Sequence, residues 1–288
     1  MNILVTGSNG QLGNELRVLA PQFPQFQYFF TDVEELDICK AKAVMNYVSK
    51  NEIRCIINCA AYTAVDRAEE EPKLSYAINA FAVDHLCAAA KKHSAFLVHI
   101  STDYVFDGTK ILPYDEKDAT HPISVYGKSK LQGEELIRAS GIPSLIFRTS
   151  WLYSSFGSNF VKTILRLSKE RPELNIVTDQ KGAPTYAADL AWTILEILSK
   201  HPLPMVPEIY HYSNLGKTTW YEFAQEIIQL SGGTTKLNPI TTKDYPTPAA
   251  RPKNSMLCKA KLLQDFGIRP PQWYDSLKDC MKILKGKK

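Results

Sequence analysis

Near its start the chain reads Ile3-Leu4-Val5-Thr6-Gly7-Ser8-Asn9-Gly10-Gln11-Leu12-Gly13. An apolar strand that turns through glycines into a helix predicts the phosphate-binding turn of a dinucleotide-binding fold. A peptide that passes close to a pyrophosphate has no room for side chains, and the following helix offers free N–H groups and the positive end of its dipole. We therefore expect Gly7, Gly10 and Gly13 to border a dinucleotide such as NADH or NADPH, although a glycine triplet alone also fits an ordinary tight turn.

The first half of the chain alternates short apolar runs with amphipathic stretches, which is typical of a parallel, doubly wound sheet. The predicted strands are Ile3 to Val5, Phe26 to Phe30, Cys55 to Asn58, Phe96 to Ile100 and Ser144 to Phe147. The predicted helices are Leu12 to Leu19, Lys40 to Lys50, Leu74 to His93 and Val125 to Ala139. The sequence therefore predicts an α/β, Rossmann-like fold.

From Trp151 onward this alternation is lost, and prolines become frequent at 202–207 and 246–252. We predict a dinucleotide-binding domain over residues 1–150 and a smaller, mainly substrate-binding C-terminal lobe over 151–288. The apolar stretch 186–198 reads as a helix that packs back on the first domain. The two lobes would then be discontinuous in sequence.

Composition narrows the class of protein. The 34 basic and 30 acidic residues are spread along the chain, so the sequence does not predict a basic surface that binds nucleic acid. The six cysteines form no Cys-x-x-Cys pair, which disfavours a zinc site and favours a reduced, intracellular chain. No cationic leader or long apolar run is visible. We expect a cytoplasmic protein that binds neither nucleic acid nor membranes.

Further cofactor contacts are expected where the second and third strands end. Asp32 follows the second strand, where an acidic side chain can accept hydrogen bonds from an adenosine ribose and thereby favour NADH over NADPH. The competing interpretation is that Asp32 merely starts a turn. Asp37 and Ile38 lie just beyond and could edge the adenine. The small residues at 58–61 leave room for a cofactor, or reflect tight helix packing.

A catalytic pair is predicted at Tyr126 and Lys130, because residues four apart on a helix share one face. A chain with this many tyrosines and lysines is expected to contain a chance match, and Tyr274 with Lys278 repeats the spacing. Only Tyr126 follows a strand exit that carries a hydroxyl, Thr102. We therefore interpret Tyr126 as catalytic and Tyr274 as a packing or surface residue.

This pair suits the reduction of a carbonyl, since the oxygen needs a proton when the carbon receives a hydride. A free tyrosine has a pKa of about 10, which is high for a donor near neutral pH. We expect the Lys130 ammonium to lower the pKa of Tyr126, and Thr102 to hydrogen-bond the same oxygen. Asn79 could supply a further hydrogen bond, or lie exposed on its helix.

A series of short motifs extends this pattern over nearly the whole chain. They are Gly7-Ser8-Asn9-Gly10-Gln11-Leu12-Gly13, Ala60-Ala61-Tyr62-Thr63-Ala64-Val65-Asp66, Ser101-Thr102-Asp103-Tyr104-Val105-Phe106, Tyr126-Gly127-Lys128-Ser129-Lys130, Arg148-Thr149-Ser150-Trp151, Asn159-Phe160, Asp179-Gln180-Lys181-Gly182-Ala183-Pro184-Thr185 and Arg251-Pro252-Lys253-Asn254-Ser255. In this order the motifs resemble the extended short-chain dehydrogenase/reductases that act on nucleotide-linked sugars. The resemblance implies NAD(P)H-dependent reduction of the 4-keto group of dTDP-4-dehydro-L-rhamnose.

The resemblance also implies roles for individual residues. Those implied to line the cofactor are Gly10, Gln11, Leu12, Asp37, Ile38, Ala60, Ala61, Tyr62, Tyr126 and Lys130. Those implied to meet the sugar nucleotide are Thr102, Asp103, Trp151, Asn159 and Arg251, the last through phosphate oxygens. Some members carry magnesium between subunits, so a homodimer is possible, and Glu15 is the one candidate ligand.

Two other kinds of function remain open at this point. A different sugar-nucleotide 4-ketoreductase or an epimerase would share the glycines, the tyrosine and the lysine. A non-catalytic regulatory subunit, resembling that of methionine adenosyltransferase, would bind a dinucleotide and contact another protein. The intact set of Thr102, Tyr126 and Lys130 favours an enzyme.

Overall fold

The computed structural model describes residues 1–286; Lys287 and Lys288, the last two residues of the predicted second lobe, lie outside the described residues. The strands are β1 (Asn2–Thr6), β2 (Gln27–Phe30), β3 (Cys55–Asn58), β4 (Phe96–Thr102), β5 (Ser144–Thr149), β6 (Leu152–Tyr153), β7 (Glu173–Val177), β8 (Lys181–Gly182), β9 (Thr185–Tyr186), β10 (Pro207–Tyr212), β11 (Thr218–Thr219) and β12 (Lys236–Ile240).

The helices are α1 (Gln11–Leu19), α2 (Ala41–Lys50), α3 (Val65–Glu70), α4 (Pro72–Tyr76), α5 (Ala82–His93), α6 (Val125–Ser140), α7 (Phe160–Glu170), α8 (Ala187–Lys200), α9 (Trp220–Ser231), α10 (Ala260–Phe266) and α11 (Trp273–Gly286). Within the part of the chain that the structure describes, no helix is long and apolar enough to span a bilayer.

Six strands form one parallel sheet in the order β10-β5-β4-β3-β1-β2. The chain runs outward from β1 to β2 and then crosses back to β3, so the strand order reverses between β1 and β3. Ligands of open α/β sheets bind at the carboxyl ends of the strands beside such a reversal. The predicted Rossmann-like sheet is confirmed, and its topology places the candidate site at the ends of β1 and β3.

Both faces of the sheet are covered by helices, because successive side chains of a buried strand point to opposite faces. In β1, Ile3 and Val5 contribute to one core cluster, together with α1, α8 and α10. Leu4 contributes to the opposite cluster, which α2, α5 and α6 cover. The sheet that carries the site is thus packed against helices on both faces.

The second half of the chain contributes to both lobes. Helix α8, at the apolar stretch 186–198, packs against α1 and enters the same core cluster. Strand β10 also joins the main sheet beside β5, which the sequence analysis missed because prolines at 202, 204 and 207 made this segment read as a loop. A separate core forms between α7, α9, α11 and the strand pair β7 and β12.

The helix predicted from Leu74 to His93 is interrupted. A π-helical segment, Ala77–Phe81, joins α4 to α5. Segments of this type occur inside α-helices, frequently at functional sites. Here the segment turns Asn79 inward, where its side chain is buried.

Candidate active site

A cleft of about 900 Å³ opens at the carboxyl ends of β1, β3, β4 and β5. The residues predicted for the site that line it are Gly7, Gly10, Gln11, Leu12, Asp32, Asp37, Ile38, Ala60, Ala61, Thr102, Asp103, Tyr126, Lys130 and Trp151. Segments far apart in sequence therefore meet in one cavity. The cleft is large enough for an elongated ligand and a second molecule beside it.

The glycine turn is tightly constrained. Gly7 has φ +61°, and a Cβ at this position would lie 2.6 Å from the Ala60 backbone. A Cβ at Gly13 would lie 2.4 Å from Ser8, so Gly13 keeps α1 against the turn and does not line the cleft. The first turn of α1 has no side-chain cap, which leaves its N–H groups available to an anion. The geometry fits the pyrophosphate of a dinucleotide.

Asp32 lines the cleft and also holds the turn together. Its Oδ2 accepts a hydrogen bond from the Asn9 N–H at 2.9 Å, and its Oδ1 accepts one from the Val33 N–H at 2.8 Å. Both alternatives left open by the sequence are thus compatible with its position. A carboxylate with two oxygens still has lone pairs for a ribose hydroxyl.

Tyr126 projects from the first turn of α6, which Ser124 caps by accepting the Gly127 N–H. Its ring packs edge-on against Tyr104, with centroids 5.4 Å apart. Desolvation, together with the charge of Asp103, raises the pKa of Tyr126 to about 12, and a hydrogen bond with Thr102 opposes the rise. The expectation that Lys130 lowers this pKa is therefore wrong for the structure described here.

The physical reason lies in the position of Lys130. Its side chain is buried, and its Nζ donates to the Ile100 carbonyl at 2.6 Å and lies 3.3 Å from His99 Nε2. The ammonium thus interacts with β4 rather than with the phenol oxygen. Burial lowers the pKa of Lys130 to about 8, although the charge of Glu134 and the Cys59 thiol favour the protonated form.

Asp103 lies beside Tyr126 at the end of β4. The Thr102 hydroxyl donates to its Oδ1 at 3.1 Å. Burial raises the pKa of Asp103 to about 6, partly offset by hydrogen bonds from Ser255 and Thr102. The site therefore combines a neutral phenol, a hydroxyl and a carboxyl group of raised pKa within one wall of the cleft.

Asn79 is buried rather than exposed. Its side chain accepts the Tyr62 N–H at 2.9 Å, donates to the Tyr62 carbonyl at 3.1 Å and donates to Ser129 Oγ at 3.0 Å. It thus ties the segment after β3 to α6. The Tyr62 hydroxyl bonds Glu71, and Tyr62 itself does not line the cleft.

An aromatic wall closes the other side of the cleft. Trp151, which follows β5, stacks on Trp220 of α9 with ring centroids 3.7 Å apart. Trp151 has φ +50°, a strained conformation for a large residue. A Cβ at Gly182 would lie 2.6 Å from the Trp151 ring, so only glycine fits there. The sequence analysis missed Trp220 because nothing near position 220 shows that its helix reaches the cleft.

A second cavity of about 750 Å³ contains Arg251. The cationic side chains around it are Lys110, Lys181, Lys217, Arg251 and Lys253. Arg251 forms a bidentate ion pair with Asp66, at 2.6 and 2.9 Å, which lowers the pKa of that carboxyl. Asp66 follows Val65, a residue of the first cleft, so Arg251 lies near the boundary between the two cavities.

Besides Gly13 and Tyr62, two further predicted residues lie outside both cavities. Asn159 caps α7 and donates to Gln11 Oε1 at 2.9 Å, so it reaches the cleft only through Gln11. Glu15 is buried and accepts a hydrogen bond from Ser154 Oγ at 2.5 Å. No group of three histidine, cysteine or acidic side chains suited to a metal occurs within residues 1–286. Glu15 as a magnesium ligand between subunits therefore stays a prediction.

A model of the RmlD substrate binding domain family matches residues 1–285. The chain belongs to this family. A dTDP-4-dehydrorhamnose reductase of Aggregatibacter actinomycetemcomitans is 41% identical over 285 residues, which cover 96% of this chain and 97% of the relative. The family relationship predicted from the motifs is confirmed over residues 1–285 of the chain.

Solved structures agree with this relationship. A dTDP-4-dehydrorhamnose reductase from Clostridium acetobutylicum superposes with a TM-score of 0.94 at 41% identity, covering 99% of this chain and 100% of that one. The dTDP-4-dehydrorhamnose reductase of Bacillus anthracis, solved in complex with NADP, has a TM-score of 0.93 at 38% identity, covering 98% and 99%. The Bacillus anthracis relative with this fold thus binds NADP.

Proposed function

We propose that this chain reduces the 4-keto group of dTDP-4-dehydro-L-rhamnose to a hydroxyl with NADH or NADPH, which yields dTDP-L-rhamnose. The observation that carries the proposal is the convergence of Thr102, Tyr126 and Lys130 beside a glycine turn in one cleft, in a chain that matches the reductases over its full length. It is therefore an oxidoreductase of nucleotide-sugar biosynthesis.

The residues present fit a bound dinucleotide. Gly7 and Gly10 allow a pyrophosphate to approach the backbone, and the uncapped start of α1 faces it. Asp32 lies where a ribose would be held, with Asp37 and Ile38 beyond it. When bound, the reduced nicotinamide supplies the hydride.

The residues of the chain supply the proton and the orientation of the sugar. Tyr126 remains protonated at neutral pH, because its pKa is raised to about 12, and so its hydroxyl can donate to the carbonyl oxygen as that oxygen gains charge. Thr102 lines the same cleft as the phenol, and its hydroxyl donates to Asp103 Oδ1. Hydride on the carbon and a proton on the oxygen together complete the alcohol.

The basic second cavity is suited to the nucleotide part of the substrate. Its cationic side chains attract a diphosphate, and a guanidinium such as that of Arg251 can hold phosphate oxygens in a bidentate way. We place the sugar between Tyr126 and Trp151 in the first cleft. The nucleotide then extends past Arg251 into the C-terminal lobe, which would make residues 151–288 mainly substrate-binding.

One assay tests the class of reaction and the substrate together. Purified protein is offered dTDP-4-dehydro-L-rhamnose with NADH and, separately, with NADPH, and the loss of nicotinamide absorbance is followed. We expect one reduced cofactor to be consumed for each dTDP-L-rhamnose formed, with the product identified by mass and stereochemistry. Conversion without net consumption of cofactor would instead identify an epimerase.

The alternative of a regulatory subunit predicts dinucleotide binding without turnover, together with co-purification of a synthetase. The complete catalytic set in the cleft argues for turnover. A cytoplasmic location and a homodimer remain predictions, which fractionation and analytical ultracentrifugation can test.

A further inference from the structure

A row of buried polar side chains crosses the sheet beneath Lys130. The strand register places Thr6 of β1 opposite Asn58 of β3, and Asn58 opposite His99 of β4. Thr6 Oγ1 lies 2.6 Å from Asn58 Oδ1, Asn58 Nδ2 lies 3.0 Å from His99 Nδ1, and His99 Nε2 lies 3.3 Å from Lys130 Nζ. All four side chains are at most 2% exposed.

Burial of such a row of polar side chains in the interior of a sheet costs free energy unless every member is hydrogen-bonded. The neighbouring positions of the same strands, such as Val5, Ile57 and Val98, are apolar and fill the core without this cost. The polar row ends at Lys130, which is the member of the row that lines the cleft. Its placement indicates a role in holding that group.

The chemistry of a neutral imidazole makes the row directional. Burial and the nearby Lys130 charge lower the pKa of His99 far below its usual value, so the ring carries one N–H donor and one acceptor nitrogen. If Lys130 is charged, its hydrogens can only donate, so Nε2 must accept and Nδ1–H must donate to the Asn58 oxygen. If Lys130 is neutral, its lone pair can accept from Nε2–H, and Nδ1 then accepts from the Asn58 amide nitrogen.

The structure has the Asn58 nitrogen facing His99, which is the second arrangement, and a half-turn of the amide gives the first. We propose that His99 is a positioning residue for Lys130, and that the hydrogen bonds of the row Thr6–Asn58–His99–Lys130 reverse direction when Lys130 gains or loses its proton. The inference rests on the proposed function only for the catalytic use of Lys130.

Lys130 is the member of this cluster that titrates near neutral pH. Its pKa is lowered to about 8. Cys59, beyond β3, has a pKa raised to about 12 and stays a thiol. Glu134, one turn further along α6, is held by Arg148 of β5 at 2.7 Å in a pair that is almost fully buried. Reversal of the row is therefore expected around pH 8, driven by Lys130.

The direction of the row is measurable in the unmodified protein by ¹⁵N NMR of the histidine rings across about pH 6.5 to 9.5, a window centred on the Lys130 transition. We expect His99 to carry its proton on Nδ1 at the acid end and on Nε2 at the alkaline end. His211 is a matched control, because its ring is also buried and its Nδ1 faces the Tyr114 carbonyl at 3.1 Å, which can only accept. A single His99 tautomer throughout this range would overturn the reversal, whether or not the protein reduces the proposed sugar.

Kinetics tests the positioning role. Removal of an acceptor from the Lys130 ammonium in His99→Leu should lower the basic apparent pKa of kcat by about one unit, since a hydrogen bond to a charged group has about this strength. The KM for the sugar nucleotide should change little. His99→Gln places an amide oxygen near the position of Nε2. The basic apparent pKa of kcat should therefore return towards that of the unmodified protein. A loss of kcat that is equal at every pH in His99→Leu would show that His99 only supports the fold, and would overturn the positioning role.

Discussion

At the scale of single residues, the surroundings of Tyr126 keep its phenol protonated, so that it can act as a proton donor. A phenol whose pKa is raised to about 12 is protonated across the physiological range, so it is ready to donate a proton to a carbonyl that receives a hydride. The desolvation that raises the pKa comes from packing around the cleft, including the ring of Tyr104. A reductase needs the acid form, and burial maintains it.

Tyr126→Phe removes the proton donor and leaves the ring in place. We expect kcat to fall by about 10² to 10⁴-fold, which is the usual contribution of general acid catalysis, with the Kd for NADH unchanged. Tyr274→Phe is the matched control: Tyr274 has the same spacing to a lysine, but Lys278 lies over its ring at 4.0 Å and neither residue lines the cleft. Near-normal turnover in folded Tyr126→Phe would remove Tyr126 from catalysis.

Asp32→Ala tests whether the carboxylate selects the cofactor. It removes an acceptor for a ribose hydroxyl and relieves repulsion of a 2′-phosphate, so the KM for NADH should rise more than that for NADPH. Because Asp32 also binds the Asn9 and Val33 N–H groups, some loss for both cofactors is expected through the loosened turn. Equal losses for the two cofactors would reduce Asp32 to that structural role.

At the scale of elements, α6 brings the chemistry and the packing together. Tyr126, Lys130 and Glu134 follow one another at intervals of four residues and therefore share a face. The helix can approach the π-helical segment Ala77–Phe81 because position 133 is glycine: a Cβ there would lie 2.3 Å from the Asn79 carbonyl oxygen. The position of this face of α6 depends on the close approach.

Gly133→Ala should therefore destabilise the protein by about 1 to 3 kcal/mol, the usual cost of inserting a methyl group into a packed interior. Chemical denaturation with circular dichroism measures the change. The control is Gly286→Ala at the end of α11, where a Cβ meets nothing within 4 Å, and where the better helix propensity of alanine should leave stability unchanged or slightly higher. Equal stability of the two variants would show that α6 can move away without cost.

Elements also differ in how well the sequence predicts them. The predicted bounds of helix α6 and of strands β1 to β5 lie within a few residues of the observed bounds. The hydrophobic pattern of each element and the residues at its ends are recognisable in the sequence. Strand β10 was missed because its buried residues Tyr210, His211 and Tyr212 form no apolar run and follow a proline-rich segment, and only the pairing with β5 makes it part of the sheet.

At the scale of the whole molecule, the ion pair of Arg251 with Asp66 joins the C-terminal part of the chain to helix α3. Arg251→Ala should raise the KM for the sugar nucleotide by about 10-fold or more, since a charge-assisted hydrogen bond to phosphate is lost, and should leave the Kd for NADH unchanged. Asp66→Asn is the matched control, because it breaks the ion pair at 2.6 Å but keeps the guanidinium. If both variants raise KM equally, Arg251 acts through the ion pair and does not contact the substrate.

The sequence by itself determined what depends on near neighbours along the chain. The strand-turn-helix that begins at Ile3, the shared face of Tyr126 and Lys130, and the order of the motifs all follow from local periods and from residues that few side chains can replace. These features predicted five of the six strands of the main sheet, β1 to β5, and the family.

Only the tertiary structure decided the properties that depend on distant residues. Trp220 reaches the cleft because α9 folds back onto Trp151, and the polar row under Lys130 exists because β1, β3 and β4 lie side by side in register. The pKa of Tyr126 rises and that of Lys130 falls because burial removes water from both groups. Burial and electrostatic environment arise from contacts between segments far apart in the chain, which local sequence patterns do not encode.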